Sequence, residues 1–236
     1  MIIAEAGINH QGIINNAINL IKKAYESGAD AIKFQHYIPE ILCVNRGNFD
    51  AYNVLSKNKM HEWWIPILKK ECDKLRIRFL CTPFCKFTAE SLNPYVDSFK
   101  IASPEVCNVE FVKHVASYGK PLILSTGKAT YDILDKIFSQ IDNEIVLLYC
   151  VSKYPAGIND IDLSEMDRLR KRYKVKVGYS DHSKGIKKAI ESVEKGAFIV
   201  EKHFCIDKNC VDSEVSLTPH EFKKMSELIR RTYGKR

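Results

Sequence analysis

Two histidines near the end of the chain have the setting that metal chemistry needs. His182 closes the polar segment 178–182 and His203 lies in the segment 201–204, each at or just past the end of a β-branched, apolar run. We therefore expect both at the carboxyl ends of successive strands, which are neighbours in a parallel sheet. A neutral imidazole nitrogen is a good ligand for Mn, Fe, Co or Zn. One such histidine is more often hydrogen bonded without a further role, but two at matching positions favour a site for one divalent metal.

Two lysines inside apolar runs, Lys33 and Lys100, indicate a second kind of chemistry. An unpaired ammonium among apolar residues is costly, so each lysine needs a partner. One alternative is a salt bridge to Glu5 or Glu201. The other is that both lysines bind an anion, which we favour because hydroxyl side chains follow the neighbouring strands and suit a phosphate or a carboxylate. Glu5 and Glu105 could transfer protons or simply pair with the lysines.

Eight strand-like runs, most of them apolar throughout, alternate with helical patterns along the chain. The runs are Met1–Ala6, Ala31–Gln35, Arg78–Thr82, Ser98–Ala102, Pro121–Ser125, Ile145–Val151, Val175–Tyr179 and Ala197–His203. This alternation predicts the α/β class and a (β/α)8 TIM barrel, as a single domain over residues 1–236. The alternative, an open doubly wound sheet, is disfavoured because no G-x-G-x-x-G follows the first strand. The longest irregular piece, 36–61, is predicted to be a functional loop over the barrel mouth.

In such a barrel the chemistry lies where the strands end. The predicted strand ends carry further polar residues that could bind a substrate, namely Gln35, Thr82, Ser103, Ser125, Ser152, Tyr154 and Ser180.

The composition favours a cytoplasmic enzyme of small anionic molecules. The chain has a net charge of +7, but its lysine doublets are spread over several helices, so we expect no nucleic-acid partner. No apolar run approaches the length of a membrane span, so we expect no membrane partner either. The chain opens with a strand pattern instead of a signal peptide, and its 8 cysteines fit thiols in a reducing compartment.

Eight short motifs resemble, in order, those of the sialic acid synthases, and together they cover nearly the whole chain. They lie at residues 4–12, 33–35, 82–84, 100–103, 124–127, 154–155, 178–182 and 201–204. The resemblance implies a TIM-barrel synthase that joins phosphoenolpyruvate to an open-chain N-acyl hexosamine, such as N-acetylmannosamine or its 6-phosphate. The products would be a nonulosonic acid and phosphate. Alternatives are a related enzyme that makes pseudaminate, legionaminate or another ulosonate, and a non-catalytic barrel subunit.

The resemblance also implies roles for the strand-end residues. His182 and His203 would bind Mn²⁺ or another divalent cation such as Mg²⁺ or Co²⁺. Phosphoenolpyruvate would be held by Lys33, Thr82, Lys100, Ser103, Ser125, Ser152 and Ser180. The sugar, the metal or its water would be faced by Glu5, Gln35, Glu105, Tyr154 and Asp212.

The chain departs from the family pattern in three places, and the first two concern sugar recognition and the oligomeric state. The family usually carries an antifreeze-protein-like domain after the barrel, which helps to build a swapped dimer and places an arginine near the partner's sugar. Since this sequence ends at Arg236, we expect that domain to be absent and the barrel alone to bind sugar weakly. Arg46 is then a candidate for the missing arginine, and a homodimer is left as one alternative. Where the family has Gly-Pro-Asp-His, segment 210–213 keeps the aspartate, Asp212, but not the histidine. Ser152 stands where some members have asparagine.

Overall fold

The computed structural model describes residues 1–233, and it is built around eight parallel strands. The strands are β1 (Ile2–Gly7), β2 (Ala31–His36), β3 (Arg78–Pro83), β4 (Phe99–Ile101), β5 (Leu122–Ser125), β6 (Ile145–Cys150), β7 (Lys176–Asp181) and β8 (Val200–His203). They pair in the order β3-β2-β1-β8-β7-β6-β5-β4, and β3 packs beside β4, which brings the two ends of the sheet together. The predicted single-domain (β/α)8 barrel is confirmed.

Helices follow the strands and cover the outside of the barrel. They are α1 (Ile14–Glu26), α2 (Pro39–Arg46), α3 (Tyr52–Lys57), α4 (Ile65–Leu75), α5 (Lys86–Leu92), α6 (Ser103–Val106), α7 (Val109–Ala116), α8 (Tyr131–Phe138), α9 (Glu165–Tyr173), α10 (Lys187–Glu194) and α11 (Pro219–Tyr233). α10 does not begin directly after β7, because the Ser183 amide and hydroxyl both donate to Asp181, and Gly185 has a left-handed backbone with φ of +74°.

The prediction that 36–61 is irregular is wrong, because α2 and α3 lie within it. Pro39 is in the first turn of α2, where its fixed φ favours a helix start, and Gly47 ends that helix in the left-handed conformation. The segment does reach the barrel mouth, since Arg46 at the end of α2 lines the cavity there.

The barrel interior changes from apolar to charged in one step of the strand repeat. Its lower layer is apolar and consists of Ile3, Ala31, Leu80, Ile123, Val146, Leu148 and Ile199. Side chains alternate between the two faces of a strand, so the next inward residues, two positions later, include Glu5, Lys33, Thr82, Ser125 and Glu201. β7 contributes Gly178 to the lower layer, where a Cβ would lie 2.3 Å from the Ile199 carbonyl oxygen. The barrel is therefore filled below and polar above.

Two predictions about the rest of the chain can be compared with the structure. The cysteines were expected to be thiols, and all eight are free, with Cys81 and Cys150 among the buried ones. Within residues 1–233, no helix combines the length and the apolar character that crossing a membrane requires. The cytoplasmic location stays a prediction.

Candidate active site at the barrel mouth

A cavity of about 350 Å³ opens at the carboxyl ends of the strands. Its walls contain every residue that the sequence predicted for the site except Glu105: Glu5, Lys33, Gln35, Thr82, Lys100, Ser103, Ser125, Ser152, Tyr154, Ser180, His182, His203 and Asp212. Residues from all eight strands or the loops that follow them thus meet in one place. We call this space the mouth cavity.

The floor of the mouth cavity is a network of two lysines and two carboxylates. Lys33 Nζ lies 2.7 Å from Glu5 Oε2 and 3.7 Å from Glu201 Oε2. Lys100 Nζ lies 3.8 Å from Glu201 Oε1 and donates to Ser125 Oγ at 2.6 Å. All four charged side chains are almost completely buried. The salt-bridge alternative for the lysines is therefore present in the structure, and anion binding by them stays a prediction.

The two lysines differ in how well their charges are compensated. Burial lowers the pKa of Lys33, but the adjacent Glu201 and Glu5 carboxylates outweigh it, so the pKa is raised. For Lys100 burial prevails and the pKa is lowered, because its carboxylate partner is more distant and its short contact is to a neutral hydroxyl. Burial raises the pKa of Glu201, but Lys100 and Lys33 reverse that shift and hold the carboxylate ionised. Of the two lysines, Lys100 is thus the one whose charge is less well compensated by carboxylates.

Hydroxyl groups stand beside each lysine and between the strands. Thr82 Oγ1 accepts from Lys33 at 3.3 Å, and Ser180 donates to Glu201 Oε1 at 2.8 Å. Ser103 and Ser152 share a hydrogen bond of 2.9 Å, although they are 49 residues apart. These groups add neutral donors to the two ammonium groups, which is the mixture that binds phosphate or carboxylate oxygens well.

The His182 ring is fixed from two sides. Its Nδ1 lies 2.7 Å from the Val151 carbonyl oxygen, which can only accept, so Nδ1 carries the proton. Nε2 then accepts from the Tyr154 hydroxyl at 3.0 Å, and the two rings stack with centroids 4.2 Å apart. Burial, together with the neighbouring His203, lowers the pKa of His182 to about 4. The imidazole is neutral near pH 7 and keeps a lone pair on Nε2.

His203 lies next to His182, with 5.6 Å between the ring centroids. Its Nδ1 is 3.2 Å from Asp212 Oδ2, within ion-pair distance but not aligned as a hydrogen bond. Burial lowers the pKa of His203, the Asp212 carboxylate outweighs this, and the pKa is raised. A carboxylate behind a histidine is a common arrangement in metal sites because it fixes the ring. In the described residues, however, no set of three His, Cys, Asp or Glu side chains converges as a metal site.

The sequence predicted Glu105 inside the mouth cavity, but Glu105 lies beside it. Its carboxylate accepts from Arg46 Nη2 at 2.8 Å, and the Arg46 guanidinium lies over the Phe84 ring, 5.4 Å from its centroid. Arg46 and Glu105 are 59 residues apart, and neither residue type nor spacing could reveal their contact. Arg46 is thus placed at the rim, in the region suggested for it.

Two further charged residues, Glu201 and Lys128, line the mouth cavity without having been selected from the sequence as site residues. Glu201 was considered only as a salt-bridge partner, but it has the same strand parity as His203 and so points inward, while Lys202 points outward and pairs with Asp181 at 3.0 Å. Lys128, three residues after Ser125, adds a positive charge at the rim. The alternation of side chains along β8 could have identified Glu201 from the sequence. The position of Lys128 depends on the loop after β5 and could not.

The fold and the mouth define a (β/α)8-barrel protein whose site is built from charged, hydroxyl and imidazole groups at the strand ends. Residues 20–235 match the NeuB family, and the chain belongs to that family. Its relatives include named synthases of sialic, pseudaminic and legionaminic acids, so it is a sialic-acid-synthase-like enzyme of ulosonic acid biosynthesis.

Two curated relatives come from Campylobacter jejuni. The N,N'-diacetyllegionaminic acid synthase is 35% identical in an alignment of 251 positions, gaps included, which covers 98% of this chain and 75% of that protein. The pseudaminic acid synthase is 36% identical in an alignment of 248 positions, which covers 97% of this chain and 72% of that protein. Among solved structures, the N-acetylneuraminic acid synthetase of Leptospira borgpetersenii in complex with citrate superimposes with a TM-score of 0.93 at 34% identity, covering 99% of this chain and 84% of that one.

Proposed function

We propose that this enzyme condenses phosphoenolpyruvate with an open-chain N-acyl hexosamine, giving a nonulosonic acid and inorganic phosphate. The observation that carries the proposal is the placement of two buried ammonium groups, Lys33 and Lys100, each beside a hydroxyl on a neighbouring strand. Phosphoenolpyruvate has two anionic groups, a phosphate and a carboxylate, and two separated cationic positions suit it. Membership in the NeuB family supports the same substrate class.

The acceptor is the part of the reaction that the family leaves open. Relatives are named for sialic, pseudaminic and legionaminic acid synthesis, and N-acetylmannosamine, its 6-phosphate and other N-acyl hexosamines are therefore all candidates. The Ser103–Ser152 pair and the two lysines serve phosphoenolpyruvate in this proposal. Gln35, Tyr154, Asp212 and Glu105 are left to contact the sugar.

The residues at the mouth fit a divalent cation such as Mn²⁺, with Mg²⁺ or Co²⁺ as alternatives, held by His182 and His203. The fit rests first on His182: Val151 holds its Nδ1, so Nε2, which accepts from the Tyr154 hydroxyl, is the nitrogen that would bind the cation in place of that hydroxyl. His203 lies beside it, with 5.6 Å between the ring centroids and its Nδ1 3.2 Å from Asp212 Oδ2. Further ligands would come from water or substrate. When bound, such a cation polarises the acceptor's aldehyde oxygen.

The remaining chemistry uses the chain's own side chains. The enol carbon of phosphoenolpyruvate forms a bond to the aldehyde carbon, whose oxygen takes up a proton and becomes a hydroxyl. A water that gives up a proton adds to the carbon that bears the phosphate, and the bond from this carbon to the phosphate oxygen then breaks, which leaves a ketone and releases phosphate. Lys33 and Lys100 hold the anionic groups in place throughout, so positioning and electrostatics lower the barrier. Glu5, which contacts Lys33 and accepts from Gln35 Nε2 at 2.9 Å, would accept the proton that the water gives up.

The test is phosphate release from phosphoenolpyruvate with a panel of N-acyl hexosamines in the presence of Mn²⁺. We expect release only when an acceptor is present, with a nonulosonic acid formed in equal amount. Lys100→Met, which removes a lysine from the mouth, should reduce this release; its matched control is Lys153→Met, which removes an exposed lysine that pairs with Asp160 away from the mouth lining. If no acceptor on the panel causes phosphate release, the proposed function is wrong.

A further inference from the structure

Two cysteines in the loop after β8 contact each other. Cys205 lies two residues after His203, and Cys210 lies two residues before Asp212. Their side chains are in hydrogen-bonding contact, and both contact the side chain of Ser216. The spacing differs from that of a CxxC motif, so only the folded loop reveals the pair. We call these two cysteines the loop dithiol.

The two thiols differ in their access to solvent. Cys205 is 0% exposed, whereas Cys210 is only half-buried. Contact with the Cys205 thiol lowers the pKa of Cys210, and burial opposes this only in part. An accessible cysteine with thiolate character and a second cysteine beside it react readily with oxidants, because the second thiol resolves the first oxidation product. Cys210 is therefore suited to attack an oxidant and Cys205 to resolve the product.

The other cysteines that are not fully buried have oxygen neighbours instead. Cys85 lies 3.5 Å from the Thr88 hydroxyl, and Cys107 donates to the Lys128 carbonyl oxygen at 3.3 Å. The loop dithiol does not have the composition of a metal site either. In residues 1–233 no third His, Cys, Asp or Glu side chain joins it as a ligand set, and structural zinc sites use four such ligands.

We propose that the loop dithiol is a modification site, where hydrogen peroxide converts Cys205 and Cys210 into a reversible disulfide. The Cys210 sulfur attacks one peroxide oxygen, the O–O bond breaks, and a sulfenic acid forms while the other oxygen leaves as water with the thiol proton. The Cys205 sulfur then attacks the sulfenic sulfur, the S–O bond breaks, and a second water leaves. The two thiols lose two electrons and two protons, and the peroxide is reduced to two waters. A thiol reductant reverses the modification by exchange.

Hydrogen bonds connect the loop dithiol to the mouth cavity. Ser216 Oγ, which contacts both thiols, accepts from Asn9 Nδ2 at 3.3 Å, and Asn9 Oδ1 accepts from the Asp212 amide at 3.1 Å. Disulfide sulfurs are about 2.05 Å apart, closer than two thiols in noncovalent contact, so the bond draws the half-buried cysteine towards the buried one. Asp212, two residues further along, is displaced with it from its position 3.2 Å from His203 Nδ1.

The first test maps the disulfide in the purified enzyme. The reduced wild type, freed of reductant, is treated with hydrogen peroxide, its remaining thiols are alkylated, and the protein is digested with trypsin. Cleavage after Lys208 separates the two cysteines, so a disulfide joins peptides 203–208 and 209–223. We expect this linked pair after peroxide treatment and its disappearance on reduction. If both cysteines are alkylated after the treatment, or if Cys210 is oxidised to a sulfinic acid without a linked pair, the proposal is overturned.

Variants show whether the reaction belongs to the loop dithiol. Cys205→Ala and Cys210→Ser should each abolish the linked pair, and the second replaces a half-buried residue that the fold tolerates more easily. The matched control is Cys107→Ser, which removes an exposed cysteine outside this loop and should leave the linked pair unchanged. A disulfide from Cys210 to any other cysteine in the wild type also overturns the proposal.

The second test measures the consequence for the mouth, and it rests on the proposed function, in which His182 and His203 hold a cation. Loss of a partner behind a ligating histidine lowers metal affinity roughly 10- to 100-fold. Calorimetric titration should therefore show Mn²⁺ binding at least about tenfold weaker in the oxidised than in the reduced wild type, with no change in peroxide-treated Cys205→Ala. Equal affinity in both forms overturns the displacement of Asp212. Failure of the proposed function is a separate result: no phosphate is released from phosphoenolpyruvate, while the linked peptides still form and support the modification site.

Discussion

Replacing Lys100 by methionine should separate anion binding from the structural role of the lysine. The side chain is 2% exposed and its Nζ contacts Ser125 Oγ at 2.6 Å, with Glu201 3.8 Å away. Methionine keeps most of the volume and removes the charge. Glu201 retains Lys33 at 3.7 Å and the Ser180 hydroxyl at 2.8 Å, so the carboxylate is not left without partners.

The expected loss in phosphoenolpyruvate affinity follows from the contact that disappears. A hydrogen bond to a charged group contributes roughly 1.5–3 kcal/mol. Since every 1.4 kcal/mol is a factor of about ten in the dissociation constant, Lys100→Met should weaken phosphoenolpyruvate roughly 10- to 150-fold. Burial lowers the pKa of Lys100, and the Glu201 carboxylate is too distant to offset this. An anionic ligand would therefore compensate a charge that the folded chain compensates poorly.

Calorimetric titration of phosphoenolpyruvate into the wild type and the variant provides the measurement. Lys128→Met is the matched comparison, because Lys128 also lines the mouth cavity but is exposed at its rim. Solvent screening makes exposed charge contacts worth about 0–1 kcal/mol, so its effect should be below about fivefold. Wild-type affinity in Lys100→Met, with an intact circular dichroism spectrum, would refute the assignment of this lysine to the anion.

Three further predictions concern the histidines and one buried ion pair. His182→Ala and His203→Ala should each abolish stoichiometric Mn²⁺ binding while the barrel stays folded; unchanged metal content by emission spectrometry in both variants would contradict the metal assignment. Burial lowers the pKa of His10 from 6.5 to about 4, so its contribution to stability is present above pH 6.5 and is lost as the pH falls towards 4. Between pH 7.5 and 5 the wild type should lose about 2 kcal/mol of unfolding free energy that a His10→Phe variant does not lose in urea titrations; parallel curves would refute this. Lys202→Met should cost about 3–5 kcal/mol by leaving the fully buried Asp181 carboxylate unpaired, and a loss below 1 kcal/mol in the same titrations would show that Asp181 is compensated by its neighbours.

The barrel and most of its mouth could be predicted because both depend on local pattern. Apolar runs alternating with helical patterns are enough for the topology, and strand ends in a barrel converge whatever the loops do. The sites of Lys33, Lys100 and His203 follow from that convergence. Strand parity adds Glu201, whose inward direction is fixed by its position two residues before His203.

The features that could not be predicted depend on packing between distant segments. α2 and α3 are only 8 and 6 residues long, and the residues of α3 are not buried, so the segment has little hydrophobic periodicity to detect. The Arg46–Glu105 ion pair joins the end of α2 to α6, the short helix after β4, and both residues also line a cavity beside the mouth. These parts surround the end of the site where the acceptor is expected, which explains why sequence motifs alone leave the acceptor open.

The charge balance of the mouth indicates how the site can be buried before a substrate arrives and still bind an anion. On the floor, the two lysines face Glu5 and Glu201, so the formal charges cancel, although Lys100 has no carboxylate in direct contact. A buried pair of this kind costs little net free energy, whereas a buried ammonium alone would be expensive. Phosphoenolpyruvate then adds negative charge that the floor cannot neutralise by itself. The additional positive charge must come from the outer part of the mouth cavity. Lys128 and Arg46 line that part, and the two imidazoles would hold a cation there. Anion and cation binding in this mouth should therefore be coupled, each tightening the other by the same factor, since coupling free energies between two ligands are reciprocal.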